Sequence, residues 1–422
     1  MDTHRYAGAC ARLAITVLAM VIAGARIAPT MAQPAPPYLT LFQQAESLAP
    51  RLAESDANIR AAEGQTIQAA VRPNPNVGLE IEDVGGSGSF SGLSRSQTTL
   101  SVSEALEIGG QRSARIAAAG AGLNAARVQR EQARTDFAYD LALAYANAEL
   151  AGKLFDLATE GLARAREDER AARALVDAGR EADLRSVQAN AAATAVEADL
   201  ESARAGFAEA LVRLSGLIGT QSYTSLSQSL LELAGNLRPP PPEPPNIFPT
   251  VLAAQAVRNA VAQRVTVERT RATPDVTVAL GFRHLEGDNA NALVAGVSVP
   301  LPLFNNNRGA IATASAELAA ADARLNAVRL NAEADWRAAS AQAFAADRRL
   351  RATADAEAAA NEAYRLARIG YDAGRSPLVE LLSARRGLTE AQMRGLDARI
   401  ARIRAEAILA RLMGRIPFGE TP

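Results

Sequence analysis

Two long stretches of the chain place apolar residues at every third or fourth position. Phe137, Leu141, Ala144, Ala148, Ala151, Phe155, Ala158 and Leu162 form one series. Ile311, Ala314, Leu318, Ala321, Leu325, Val328 and Ala332 form another. Such spacing puts one apolar stripe along a helix and predicts coiled-coil packing. The run from Gly109 to Gly179 would measure on the order of 100 Å at about 1.5 Å per residue. Elsewhere the pattern switches to alternation. Val77, Leu79 and Ile81 alternate with Gly78, Glu80 and Glu82, and Leu100 and Val102 with Thr99, Ser101 and Ser103. Val276, Val278, Leu280 and Phe282 make a third alternating run, and Ala295, Val297, Val299 and Leu301 a fourth. A period of two predicts β-strands with one apolar and one polar face.

These elements occur twice in the same order. RPNPNVGLEIED from Arg72 answers to ATPDVTVALGF from Ala272, and EALEIGGQR from Glu104 to PLPLFNNNR from Pro300. RLSG ending at Gly216 answers to RLMG ending at Gly414. Matched order and spacing indicate an internal duplication. The cluster RPPPPEPPNIFP cannot be helical and predicts a stiff linker over residues 239–249. The first repeat then occupies residues 33–238, with a strand pair at 76–103 and a helical hairpin at 109–218. The second occupies residues 250–422, with a strand pair at 275–303 and a hairpin at 308–414.

Each hairpin carries the same interruption, DAGR, around Gly179 and Gly374. Glycine inside a helix costs about 1 kcal/mol relative to alanine. Two matched interruptions of otherwise continuous helix therefore need a reason.

Composition narrows the function. Alanine is abundant and aromatic residues are only 4%, which favours helices packed closely through small side chains. A net charge of −1 gives no electrostatic case for nucleic acid. Residues 1–32 read as a secretory signal: His4, Arg5 and Arg12 precede the apolar LAITVLAMVIAGA, and TMA before Gln33 suits cleavage. A membrane anchor is the alternative, but the apolar run is short for a span. Cys10 would leave with the signal, so the mature chain would have no thiol and a single histidine, His284. That leaves almost no material for a Ser-His-Asp, Cys-His or thiolate metal site. No cofactor, metal site or enzyme activity is expected. The glycine-rich VGGSGSFSG lacks the lysine and βαβ context of a phosphate loop.

Four half-polar strands cannot close on themselves, and isolated hairpins are marginal in water. A bilayer tolerates no open edge. Two copies would give eight strands, and three would give twelve with room for a channel. The alternative is a soluble sheet packed on the helices.

At RPNPNVGLEIEDVGGSG, LEIGGQRSARIAAA, SVPLPLFNNNRG and the two AGR hairpins, the sequence resembles the TolC-like outer-membrane efflux proteins. Within them it looks closest to the branch serving cobalt–zinc–cadmium resistance pumps. The resemblance implies a mainly α fold with a small β part. Three copies would share one twelve-stranded barrel in outer-membrane lipid and continue into a periplasmic helical tunnel. Its tip would meet a periplasmic adaptor protein coupled to an inner-membrane pump, making the homotrimer a passive exit duct. Heavy-metal cations are the favoured cargo, with organic toxicants or secreted protein as alternatives within the family. A periplasmic coiled-coil adaptor or scaffold is the alternative of another class.

The resemblance also assigns roles at the tips. Gly179 and Gly374 would make the turns, Arg180 and Arg375 would start the return helices, and Leu184 and Val379 would pack just inside. These six residues would dock the adaptor, although a turn without a partner explains the glycines equally well. Tyr371 matches a gating tyrosine, and Arg185 and Glu380 are expected on neighbouring helices, holding the tip shut. Ordinary solvated charges are the alternative reading of that pair.

Overall fold

The computed structural model describes residues 33–220, 223–241 and 243–419, so the signal lies outside the described residues. Among these residues, seven α-helices and four β-strands follow one another in the repeated order. The first repeat contains α1 (Tyr38–Leu48), α2 (Pro50–Ala70), β1 (Asn76–Glu82), β2 (Gln97–Leu106), α3 (Gln111–Asp177) and α4 (Asp183–Ile218). The second contains α5 (Pro249–Thr270), β3 (Val276–Leu285), β4 (Ala290–Ser298), α6 (Arg308–Asp372) and α7 (Leu378–Leu412).

Both long helices start where a residue takes the left-handed conformation, Gly110 (φ 78°) before α3 and Asn307 (φ 59°) before α6. Glycine and asparagine are the residues that enter this region most readily. Both helices also end alike. The amides of Gly179 and Arg180 donate to the Val176 and Leu175 carbonyls at 2.8 and 2.9 Å. Gly374 and Arg375 repeat the pattern on Tyr371 and Gly370, at 2.9 and 2.8 Å. This is the Schellman closure, with φ +67° and +69° at the two glycines.

Shorter helices stack end to end to complete two more columns. The end of α4 meets the start of α2, where a Cβ added at Gly219 would lie 3.6 Å from Pro50 Cδ. The end of α7 meets α5 likewise, with Gly414 against Pro249. Each short helix opens on a proline at its first position, where a missing N–H leaves nothing unsatisfied. One copy is thus a row of four columns: α2 on α4, then α3, then α5 on α7, then α6.

The sheet follows the same row. Its order is β1-β2-β3-β4, antiparallel throughout, so β1 and β4 are open edges. Register puts Leu79, Leu100, Phe282 and Leu293 on one face and Glu80, Thr99, Arg283 and Ala292 on the other.

The core lies at the waist, around Tyr38, Phe42, Phe137, Leu141, Tyr145, Leu214 and Ile218. A strap crosses it between the repeats. The buried Glu149 carboxylate accepts from the Leu230 and Leu231 amides at 2.7 and 3.0 Å and from the Ser229 hydroxyl, capping a 3-10 turn over Leu231–Asn236. Arg402, fully buried, pairs with Asp347 and Glu406 and donates to the Arg238 carbonyl at 2.8 Å. The start of the described chain threads into the same strap, with Ala35 bridging to Leu226.

Three sequence expectations need correction. The fourth strand ends at Ser298, short of Leu301, because Pro300 and Pro302 have no N–H for a ladder. The second strand runs on to Leu106, past the expected end of the pair at residue 103, because Glu104, Ala105 and Leu106 stay paired with Val278, Thr277 and Val276 of β3. The linker ends one residue early, since Pro249 already belongs to α5.

Candidate functional site: the paired hairpin tips

The two DAGR turns lie side by side, with Arg180 Nη2 3.9 Å from where a Cβ on Gly374 would stand. Behind them a small apolar cluster joins the hairpins: Ala172 and Ala189 from the first, Tyr364, Tyr371, Leu378 and Leu381 from the second. Two consecutive carboxylates of α3 reach across to the second hairpin. Glu167 pairs with Arg368 on α6 at 2.7 Å, at the surface. Asp168 pairs with Arg385 on α7 at 2.7 Å, with side-chain exposures of only 8% and 12%. This pair is far less exposed to water than the Glu167–Arg368 pair beside it, and both join the two separate hairpins.

Burial pushes the Asp168 carboxyl above the ordinary aspartate range, with Arg385 and Arg368 opposing. The folded tip therefore binds this proton more tightly than the unfolded chain does, and its stability contribution rises as pH falls through the raised value. It levels off below the ordinary value of about 3.9. Thermal unfolding measured from neutral to acid pH should show wild type gaining stability relative to Asp168→Asn. Wild type losing ground to the variant would contradict this account.

The residues singled out in sequence fall as follows. Tyr371 is buried, and its hydroxyl has no hydrogen-bond partner among the described residues. Burial raises its pKa, assisted by Glu181, Asp168 and Asp372 and opposed by Arg185. Arg185 donates to Gln188 at 3.1 Å and lies 3.8 Å from Glu181. Glu380 is exposed in the first turn of α7, and no hydrogen bond or ion pair joins it to Arg185 within one copy.

Arg180 and Arg375 do not start the return helices, which begin at Asp183 and Leu378. Their amides are committed to the Schellman turns, and extended Ala182 and Pro377 follow before helix resumes. Leu184 and Val379 do not pack inside the turns; they are 62% and 56% exposed. Leu378, one residue earlier, takes the inward position. The tips therefore present aliphatic side chains outward, next to the exposed Arg180 and Arg375.

Sequence reasoning missed Asp168 and Arg385. Each lies 11 residues from its turn glycine, Asp168 before Gly179 and Arg385 after Gly374. That symmetric spacing is visible in the sequence but does not by itself separate a buried pair from two solvated charges.

At the other end, the polar face of the sheet is tied by Arg283, which bonds Thr99 at 2.9 Å and Gln97 at 3.1 Å and pairs with Glu82 at 3.0 Å. Among the described residues no cluster of three or more metal-ligating side chains occurs. His284 is engaged by Asn291 at 2.9 Å and Glu286 at 3.1 Å. No helix of the described residues is long and apolar enough to cross a membrane.

Residues 41–220 and 248–415 match the family described as outer membrane efflux protein. The chain is 43% identical to the nickel and cobalt resistance protein CnrC of Cupriavidus metallidurans, over 94% of each chain. It is 42% identical to the nickel-cobalt-cadmium resistance protein NccC of Alcaligenes xylosoxydans xylosoxydans, over 92% of this chain and 88% of the relative. Among solved structures, the outer-membrane channel OprN shares its fold with a TM-score of 0.73, at 22% identity over 89% of each chain.

Proposed function

Since this chain belongs to the outer membrane efflux protein family, we propose that three copies form the exit duct of a tripartite system expelling heavy-metal cations. The chain is an outer-membrane efflux component, and the periplasmic adaptor alternative falls with that membership. The observation that supports trimeric closure is the row of columns. One flank ends in β1, α2 and α4, the other in β4 and α6, and both sheet edges are open. Unlike flanks join head to tail, and a closed ring removes every edge at once. Three copies give twelve strands, enough for a lumen.

The tips supply the contact with an adaptor. Leu184, Val187 and Val379 are exposed aliphatics, and Arg180 and Arg375 beside them offer charge for recognition. The gate reading concerns neighbouring copies. Arg185 stands on α4, the flank column that meets α6 of the next copy, and Glu380 is one hairpin turn from α6. Exposed pairs contribute only about 0–1 kcal/mol each, but a ring repeats the interaction. Single-channel recordings should show higher conductance for Glu380→Arg, and an unchanged value sinks the gate.

The cargo follows the relatives, two of which are named for resistance to nickel and cobalt. A deletion strain should become sensitive to nickel, cobalt or cadmium. Normal growth on these metals with new sensitivity to dyes or detergents would reassign the duct to organic toxicants.

A further inference from the structure

The segment joining β4 to α6 carries an exposed apolar strip that no other described residue of the copy covers. Val299, Leu301 and Leu303 are 43%, 75% and 75% exposed, and Phe304 is fully exposed. In an aromatic-poor chain, a phenyl ring held entirely in the open needs an explanation. Single exposed apolar residues are ordinary; four within six positions are not.

The strip continues a face already described. Leu293 and Val297 on β4 are 89% and 73% exposed and belong to the apolar side of the sheet. Val299 and Leu301 keep their odd-numbered parity. No charged residue occurs between Asp288 and Arg308. The strip then stops abruptly at Asn305, Asn306 and Asn307. The Asn307 side chain is fastened to the end of α5, donating to the Glu268 carbonyl at 2.7 Å and its carboxylate at 3.0 Å. The equivalent stretch of the first repeat differs, with Glu104 on its apolar face and Glu107 paired to Arg115.

Length decides where this strip sits. Nine residues of β4, at about 3.3 Å each and tilted by roughly 40°, already match an apolar band about 25 Å tall. Val299–Phe304 therefore falls just beyond the hydrocarbon, at headgroup level, where barrel proteins place aromatic rings.

We propose that residues 299–304 form an interfacial anchor seated in the headgroup–acyl boundary of the periplasmic leaflet, with Phe304 as its principal contact. The occupant is phospholipid, and the proposal rests on the reading of the sheet as a membrane barrel. Prolines at 300 and 302 suit this role, since a backbone leaving the ladder at a wet interface loses no hydrogen bond at either position.

Tryptophan reporters test it, because the native Trp336 is buried in the helical part and stays constant. Phe304→Trp and Leu293→Trp are reconstituted as full chains in phosphatidylglycerol–phosphatidylcholine vesicles with brominated acyl chains. The Phe304→Trp variant should lose more emission to bromine near the headgroup than near the chain end. Leu293→Trp should be quenched by deep bromine. If Phe304→Trp responds to aqueous acrylamide alone, the strip faces water and the anchor is wrong. If neither quencher reaches it, a neighbouring copy covers it and the anchor is wrong again. If Leu293→Trp also escapes brominated lipid, the barrel reading itself fails and takes the anchor with it.

Discussion

Replacing Arg385 with alanine should loosen the tip more than any other single change there, at a cost of about 3–5 kcal/mol. The substitution leaves Asp168 with 8% of its side chain exposed and without its main partner, and an uncompensated buried charge is far costlier than a lost surface pair. Because the pair spans the two hairpins, the loss should appear as their separation. Amide exchange around Ala172, Ala189 and Leu381 should accelerate, and reconstituted channels should conduct more in the resting state. Asp168→Leu combined with Arg385→Leu is expected to recover most of the stability, since well-packed apolar residues commonly replace a buried pair without loss. Slow exchange in the single variant would show that the apolar cluster holds the tips unaided.

Arg402→Ala should be comparably severe at the waist. This guanidinium is fully buried and serves Asp347, Glu406 and the Arg238 carbonyl together. Its removal strands a carboxylate and releases the strap, at an expected cost of about 3–5 kcal/mol. Limited proteolysis reads this directly, as faster cleavage near residues 238–248. Arg402→Lys keeps the charge but cannot present a planar fork to several acceptors, so it should fall between wild type and alanine. A wild-type cleavage rate in Arg402→Ala would remove the strap's dependence on this residue.

The contrast between these two sites shows what the sequence could disclose. The duplicated order and the four strands follow from period and punctuation, which are local properties, and the family resemblance marks the two hairpin turns. Gly179 and Gly374 are legible because a left-handed turn admits few other residues. Asp168, Arg385, Glu149 and Arg402 are not, because an acid or arginine on a helix reads as solvated until a neighbouring column buries it. Leu184 and Leu378 show the same limit: one residue of helical phase decides which leucine faces the core, and phase is fixed only once Pro377 and Ala182 set the helix starts. The end-to-end stacking of Gly219 on Pro50 and of Gly414 on Pro249 likewise joins segments that are remote in sequence. The strap's fastenings at Leu226, Leu230, Leu231 and Arg238 fall between the two matched segments of the family, so family likeness informs least where the waist is fastened.

The near-equal lengths of α3 and α6, 67 and 65 residues, make the hairpins a ruler for the gap they bridge. Both tips stop at one level because the two counts differ by less than a helical turn. Removing seven residues from each strand of one hairpin would preserve its coiled-coil phase yet shorten it by about 10 Å. The two turns would then no longer meet, and the gauge would read two different widths on one molecule.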